Sequence, residues 1–399
     1  MAGLIYSSKT KVNVIDSTFY SVLDTHSYRM LSSASNGTQT CMPFVAEDKM
    51  RKSYAVFLTL FFLTIGAHAQ ANPPLRLIQT IFLPGYVGDF EHFAVDMKGN
   101  RLFLIAEDHK TVEVLDIRTG KRVHTITGFG QPHAIEYLPV PNSLIVTEGD
   151  EQSGAVELVS GINYKILDKI NLPTDVDGGV YNPVNKYYYV ESGGQGPDAK
   201  THVLSIIDTQ SFKLVGDITL PGTKSEAMAI DHTGTKLYVN LRGPDEIGVV
   251  DLPTSQLVAR WPIPEAKNEN ALVLDEPNHR LFSASHTPPK LFVFDIDTGK
   301  VVASLPCADN SDDMGYDPVR KRIYITGDGS TSVILQQDAD HYVSVAELPT
   351  GYRAKTSIFV PELNRLYMAV SSRGKRAGGK LVAPEPGSKV EVRIYQAEN

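Results

Sequence analysis

From about Leu75 to its end the chain is built of short apolar stretches, four to seven residues long, separated by Gly, Asp, Asn and Pro. The clearest unit starts at Phe93-Ala94-Val95 and turns through Asp96-Met97-Lys98-Gly99-Asn100. It continues as 102–106 and 111–117, turns again at Arg118-Thr119-Gly120-Lys121, and closes with 123–126. Alternating or wholly apolar stretches of this length between turn residues predict β-strands. The same plan returns at 291–296, Asp297-Thr298-Gly299-Lys300 and 301–305.

The unit repeats. Its second strand reads Arg101-Leu102-Phe103, Ser143-Leu144-Ile145, Lys186-Tyr187-Tyr188, Lys236-Leu237-Tyr238, Arg280-Leu281-Phe282, Arg322-Ile323-Tyr324 and Arg365-Leu366-Tyr367. The middle residues lie 42, 43, 50, 44, 42 and 43 positions apart, the period of a four-stranded propeller blade. The long interval holds a glycine-rich insertion at 192–200. The expected fold is therefore all-β, a single seven-bladed β-propeller of four-stranded blades spanning residues 70–399. The seventh repeat stops after its third strand, at 390–395, whereas 77–84 resembles an outer strand such as Lys169-Ile170-Asn171-Leu172-Pro173. The N-terminal strand is thus expected to complete the last blade and close the ring, leaving no unpaired blade.

Leu237-Tyr238-Val239-Asn240, Asp295-Ile296-Asp297-Thr298-Gly299-Lys300 and Phe359-Val360-Pro361-Glu362-Leu363-Asn364-Arg365-Leu366-Tyr367 resemble the repeats of the YVTN-repeat, YncE-like bacterial β-propellers. The resemblance covers about 75–399 and implies a seven-bladed ring in a periplasmic or secreted protein. It is specific for architecture and weak for activity, because such propellers serve as binding proteins, scaffolds and occasionally enzymes.

Met50-Arg51-Lys52, the apolar run 55–65 and Ala67-His68-Ala69 have the basic start, apolar centre and A-x-A end of a secretory signal peptide. Residues 50–69 are expected to be removed after Ala69, with 1–49 a non-native upstream extension and translation beginning at Met50. The product is then periplasmic or secreted, with no membrane span after cleavage. It retains one of the two cysteines, Cys307, and so has no internal disulfide. Residues 70–399 carry 32 Lys+Arg against 42 Asp+Glu, a net charge of about −10. That charge opposes nucleic acid and mildly favours cationic ligands. Single-stranded nucleic acid binding, which the resemblance brings for some members, is not expected here: the aromatic residues occupy strand positions that pack blade on blade. The protein is expected to be monomeric.

The residues just before each inner strand surround one mouth of a propeller's channel, the default ligand site. Counting back equally from the seven anchors gives Glu91, His133, Val176, Glu226, Asn270, Asp312 and Lys355. The next position gives His92, Ala134, Asp177, Ala227, Ala271, Asp313 and Thr356. The expected ligand site is Glu91, His92, His133, Asp177, Glu226, Asn270, Asp312, Asp313 and Lys355, with Glu107, Asp108, Glu148, Asp150 and Glu191 making one side acidic. Its partner is a small molecule, an ion or a protein, and convergent carboxylates and imidazoles suit a divalent metal ion as cofactor. The alternative is a metal-assisted lyase or lactonase in which His92 or His133 is the general base, tuned by Glu91, Glu226 or Asp177, and Lys355 steadies an oxyanion. No G-x-S-x-G elbow is present, and Gly374-Lys375-Arg376-Ala377-Gly378-Gly379-Lys380 lacks the Ser/Thr and following helix of a P-loop, reading instead as a basic surface loop up to Lys389. Binding is favoured over catalysis. A purely structural interaction platform is the third reading.

Overall fold

The computed structural model describes residues 73–399, apart from 151, 195–198 and 378–379. The expected upstream extension and export signal lie outside the described residues, as do residues 195–198 of the 192–200 insertion.

Seven four-stranded antiparallel sheets follow one another along the chain. Blade one is Phe93–Asp96, Arg101–Ala106, Thr111–Asp116 and Arg122–Thr127, hydrogen-bonded in that order, and blades two to six repeat it. The second strand is covered on both faces, so Leu102, Phe103, Leu104 and Ile105 are at most 1% exposed. The outer strand has one neighbour and alternates, as in Val301–Pro306, where every second residue faces solvent. Apolar clusters lie between blades: Phe103, Val112 and Val114 of blade one meet Ile135, Leu144 and Val146 of blade two. Tyr188, Tyr189, Tyr238, Tyr324 and Tyr367 are wholly buried in such clusters. Trp261 sits between Tyr238 and Phe294, with ring centroids 5.7 and 6.1 Å away.

Blade seven consists of Ser357–Val360, Arg365–Val370, Glu391–Ala397 and, outermost, Leu75–Phe82. The N-terminal strand runs antiparallel to Glu391–Ala397 from Leu75 opposite Ala397 to Phe82 opposite Glu391, with one bulge between Leu77 and Gln79. The ring is closed by its two ends, as the strand count requires. The basic segment after blade seven's second strand is not a plain loop: Gly374–Ala377 pairs with Lys380–Pro384 as a two-stranded hairpin. Among the described residues no helix is long and apolar enough to cross a membrane.

The Asp-x-x-Thr-Gly-Lys turns repeat one hydrogen-bond pattern. Asp295 Oδ1 accepts from the backbone N–H of Thr298 and from its hydroxyl, both at 2.8 Å, and Asp116 does the same for Thr119. Gly299 then takes φ +69°, and a Cβ there would lie 2.3 Å from the Trp261 ring. Gly299→Ala is expected to cost about 2 kcal/mol, from left-handed strain plus displacement of the ring. A urea melt followed by Trp261 fluorescence measures it, and an unchanged midpoint would contradict the packing.

Candidate functional site

The segments that lead into the inner strands meet at one end of the channel, around a cup of about 450 Å³. All nine residues expected there line it, together with Arg242, His286 and Asn310.

One element of the sequence reading needs correction. An equivalent backbone hydrogen bond recurs in several blades: Ile105 N to His92 O (3.2 Å), Asn240 N to Ala227 O (3.2 Å), Thr326 N to Asp313 O (3.4 Å) and Ala369 N to Thr356 O (3.1 Å). In blade three the same bond joins Glu191 N to Gly178 O at 3.0 Å. Asp177 therefore occupies the first mouth position and Gly178 the second. The blade's pairing starts with Asn182 opposite Tyr187, so its anchor is Tyr188 and not Tyr187. Three consecutive tyrosines hide this slip, because strand register is set by which residues find the buried faces. Val176, placed in the mouth by the uncorrected count, is wholly buried beside Tyr188 and Val190. In correct register one circle holds a polar side chain from every blade: Glu91, His133, Asp177, Glu226, Asn270, Asp312 and Lys355.

A chain of ion pairs and hydrogen bonds links six of the seven circle residues, all but His133. Lys355 Nζ bonds Asp312 and lies 3.5 Å from Glu91 Oε1. Asp312 Oδ1 accepts from Asn270 Nδ2 at 2.9 Å, and Asn270 Oδ1 accepts in turn from Arg242. Arg242 reaches Glu226 Oε1 at 2.6 Å, and Lys224 bridges Glu226 (3.4 Å) and Asp177 Oδ2 (2.6 Å). His92 Nδ1 lies 2.9 Å from Asp313 Oδ1, whose other oxygen accepts from Ser357 N at 2.8 Å. His133 Nε2 and His286 Nε2 meet the carbonyls of Gly149 (2.8 Å) and Ser311 (2.9 Å).

These contacts decide the charges. Burial alone would lower His92, but the charge and hydrogen bond of Asp313, with Glu91 and Asp177 nearby, push it up to about 10. His92 is therefore an imidazolium at neutral pH. Burial opposes ionisation of Asp177 and Asp312, yet Lys224 holds the first and Lys355 the second below the ordinary carboxylate range. Glu91 goes the other way: burial pushes it well up, because the shared Lys355 sits closer to Asp312. Lys355 and Lys224 are both raised, their flanking carboxylates outweighing burial.

Lys224, Arg242 and His286 escaped the sequence reading. Arg242 and His286 close the second-strand regions of blades four and five, the same rule that singled out acidic residues in blades one to three. Of those acids, Glu148 pairs with Lys169, Asp150 accepts from Gln152 N and Ser153 N, and Asp108 accepts from Asp89 N. None lines the cup. Glu191 is fully buried outside the cup's lining, with neither carboxyl oxygen hydrogen-bonded among the described residues. Burial raises its pKa well above the ordinary range, overcoming the opposing effect of Lys224. Among the described residues no three His, Cys, Asp or Glu side chains come together as a metal-ligand set. Cys307 is a free, half-buried thiol pushed up to about 12 by burial.

No protein-family model matches the chain, and no curated protein matches it. Solved structures do resemble its fold. Kuenenia stuttgartiensis hydrazine synthase aligns with TM-score 0.61 at 20% identity, over 72% of this chain and 96% of that one. A chain of the mitotic checkpoint complex aligns with TM-score 0.64 at 12% identity, over 81% of this chain and 96% of its own. At these identities the likeness shows the β-propeller fold alone.

Proposed function

We propose that the protein is an exported β-propeller of the YVTN-repeat, YncE-like kind that binds a small polar solute in the cup at its channel mouth. The observation that carries this is the circle itself, in which each of the seven blades presents a polar side chain at the same position. Burying a ring of carboxylates, lysines and an arginine stabilises a fold less than apolar packing of equal volume would. A purely structural platform gains nothing from it. Export is supported by the basic, apolar and A-x-A segments of residues 50–69.

Binding is preferred to general-base catalysis because His92, tied to Asp313, is already protonated and acts as a fixed cation. Carboxylates already bridged by Lys224, Arg242 and Lys355 likewise argue against a metal-assisted reaction. A thermal-shift screen of amines, amino acids, sugars, carboxylic acids, nucleotides and divalent ions should find a solute that stabilises the protein, with the effect lost in Glu226→Gln. A blank screen would sink the binding reading. For export, sequencing of the periplasmic or secreted product should start at Gln70; retained residues before Ala69 would count against cleavage.

A further inference from the structure

In blades one to six the turns joining strands one to two and three to four lie at the end of the ring opposite the cup, because neighbouring strands run antiparallel. The chain is acidic overall, yet charge is unevenly spread over these turns. In blades one to three (96–101, 116–121, 138–143, 160–165, 182–187 and 208–213) they carry seven Lys and Arg against three Asp. In blades four to six (231–236, 251–256, 275–280, 295–300, 317–322 and 336–341) they carry six against nine Asp and Glu. The three acids of the basic arc already have partners. Asp96 pairs with Arg101 at 2.7 Å, Asp116 accepts from Thr119 N at 2.8 Å, and Asp208 accepts from Gln210 N at 2.9 Å. Lys98, Lys121, Lys165, Lys186 and Lys213 are exposed and form no ion pair among the described residues.

The same arc exposes branched apolar side chains: Val140 is 83% exposed, Ile162 80% and Val184 57%. Val140 and Ile162 lie on the two turns of blade two, which Gly161 N joins to Asn142 O at 2.9 Å, and Val184 lies two residues before Lys186 on blade three. Arg101 of blade one donates to Gly161 O and to Asn142 Oδ1, so the turns of blades one and two form one surface. Val319 of blade six is exposed too, but the other turn of its blade holds Asp338 and Asp340. A single exposed valine is ordinary; three such side chains on neighbouring blades, among unpaired lysines, have the composition of a surface that lies on a membrane. We infer that this face docks the protein on an anionic phospholipid bilayer, with the lysines at headgroup phosphates and Val140, Ile162 and Val184 entering the boundary between headgroups and acyl chains. The carboxylates of the cup do not oppose this, because a six-residue strand such as Arg101–Ala106 sets them about 20 Å away, roughly two Debye lengths at physiological salt. A single-stranded nucleic acid fits less well, since the arc leaves no free ring for a base to stack on: Tyr164 stacks on His124, Tyr187 packs against the cluster containing Leu237, and Phe212 is buried.

Co-sedimentation of the purified protein with vesicles tests the inference. Partition into mixed phosphatidylglycerol and phosphatidylcholine vesicles should exceed that into phosphatidylcholine alone by about tenfold or more, and the excess should vanish as NaCl rises from about 0.05 to about 0.5 M. Substituting Lys98, Lys121 and Lys186 by Gln should lower partition into the mixed vesicles by about fivefold for each lysine removed. Val140→Ser combined with Ile162→Ser should lower it by about threefold or more at unchanged charge. All five positions are exposed, so urea midpoints of both variants should match the parent's and exclude unfolding as the cause. Lys375→Gln, on the hairpin after blade seven's second strand, should change nothing, since that loop lies at the cup end. Equal partition into the two kinds of vesicle, or partition unchanged in either the lysine or the apolar variant, overturns the inference. So does a single-stranded oligonucleotide that binds where the vesicles do not, which would make the lysines a polyanion site. The cup's solute screen is independent of all these outcomes.

Discussion

Deletion of residues 75–83 is expected to lower the melting temperature by about 15 °C or more, or to abolish folding. Leu75 and Leu83 are each 3% exposed, and Ile78 and Ile81 pack against the cluster containing Leu83, Val392 and Ile394. Removing these four side chains from the core costs about 6 kcal/mol, on the scale of a typical domain's whole stability of about 5–15 kcal/mol. The deletion also strips Glu391–Ala397 of its outer neighbour and opens the cluster of Leu75, Tyr395 and Ala397 to water. The exposed edge would then be free to pair with another molecule. Circular-dichroism melts measure the first effect, and light scattering at the transition the second. A melting curve matching that of the intact protein would mean that the ring does not depend on its closing strand.

Glu191→Gln is expected to stabilise the protein at pH 8 by about 2 kcal/mol and to have almost no effect at pH 4. The reason lies in blade equivalence. Thr147 and Thr326 occupy the corresponding site in blades two and six, and their hydroxyls donate to the mouth carbonyls of Asp177 (2.7 Å) and Lys355 (3.2 Å) on the following blades. Blade three places there a carboxyl with no hydrogen bond among the described residues. The folded state keeps Glu191 protonated above the ordinary carboxylate range, whereas the unfolded chain releases the proton within that range. The folded state therefore binds more protons, so this group lowers stability as pH rises from the unfolded value towards the raised folded one. A glutamine amide keeps the shape and the donor but has no proton to lose. Urea melts of both proteins from pH 4 to pH 8 should diverge steadily. Parallel curves would show that Glu191 ionises in the fold as it does in water.

Much of this was legible in the chain. Repeats with a 42- to 44-residue period, and apolar stretches too short for anything but strands, report a stacked sheet fold because each strand's burial follows from its own neighbours. The closing strand was legible too, since 77–84 has the composition of an outer strand and the seventh repeat lacked one. Mouth positions followed from counting, except in blade three. There Tyr187-Tyr188-Tyr189 is equally apolar in either frame, and the backbone pairing, with Glu191 N bonded to Gly178 O and Asn182 opposite Tyr187, settles which frame is used.

The pairings were not legible. Lys355 with Asp312, Arg242 with Asn270, Lys224 with Asp177 and His92 with Asp313 join residues 28 to 221 positions apart, and each pair spans different blades. Charge signs along the chain describe an acidic mouth suited to a metal ion; only the closed ring shows which carboxylates already have cations. By itself the sequence determined the seven-bladed ring, its closure by the first strand and nine of the mouth residues, because these follow from local burial and a repeated period. The tertiary structure decided register in blade three, protonation of His92 and the ion pairs that link the mouth residues across blades. Electrostatic partners are chosen by distance in space, and in a propeller that distance is set by how the blades close around the axis.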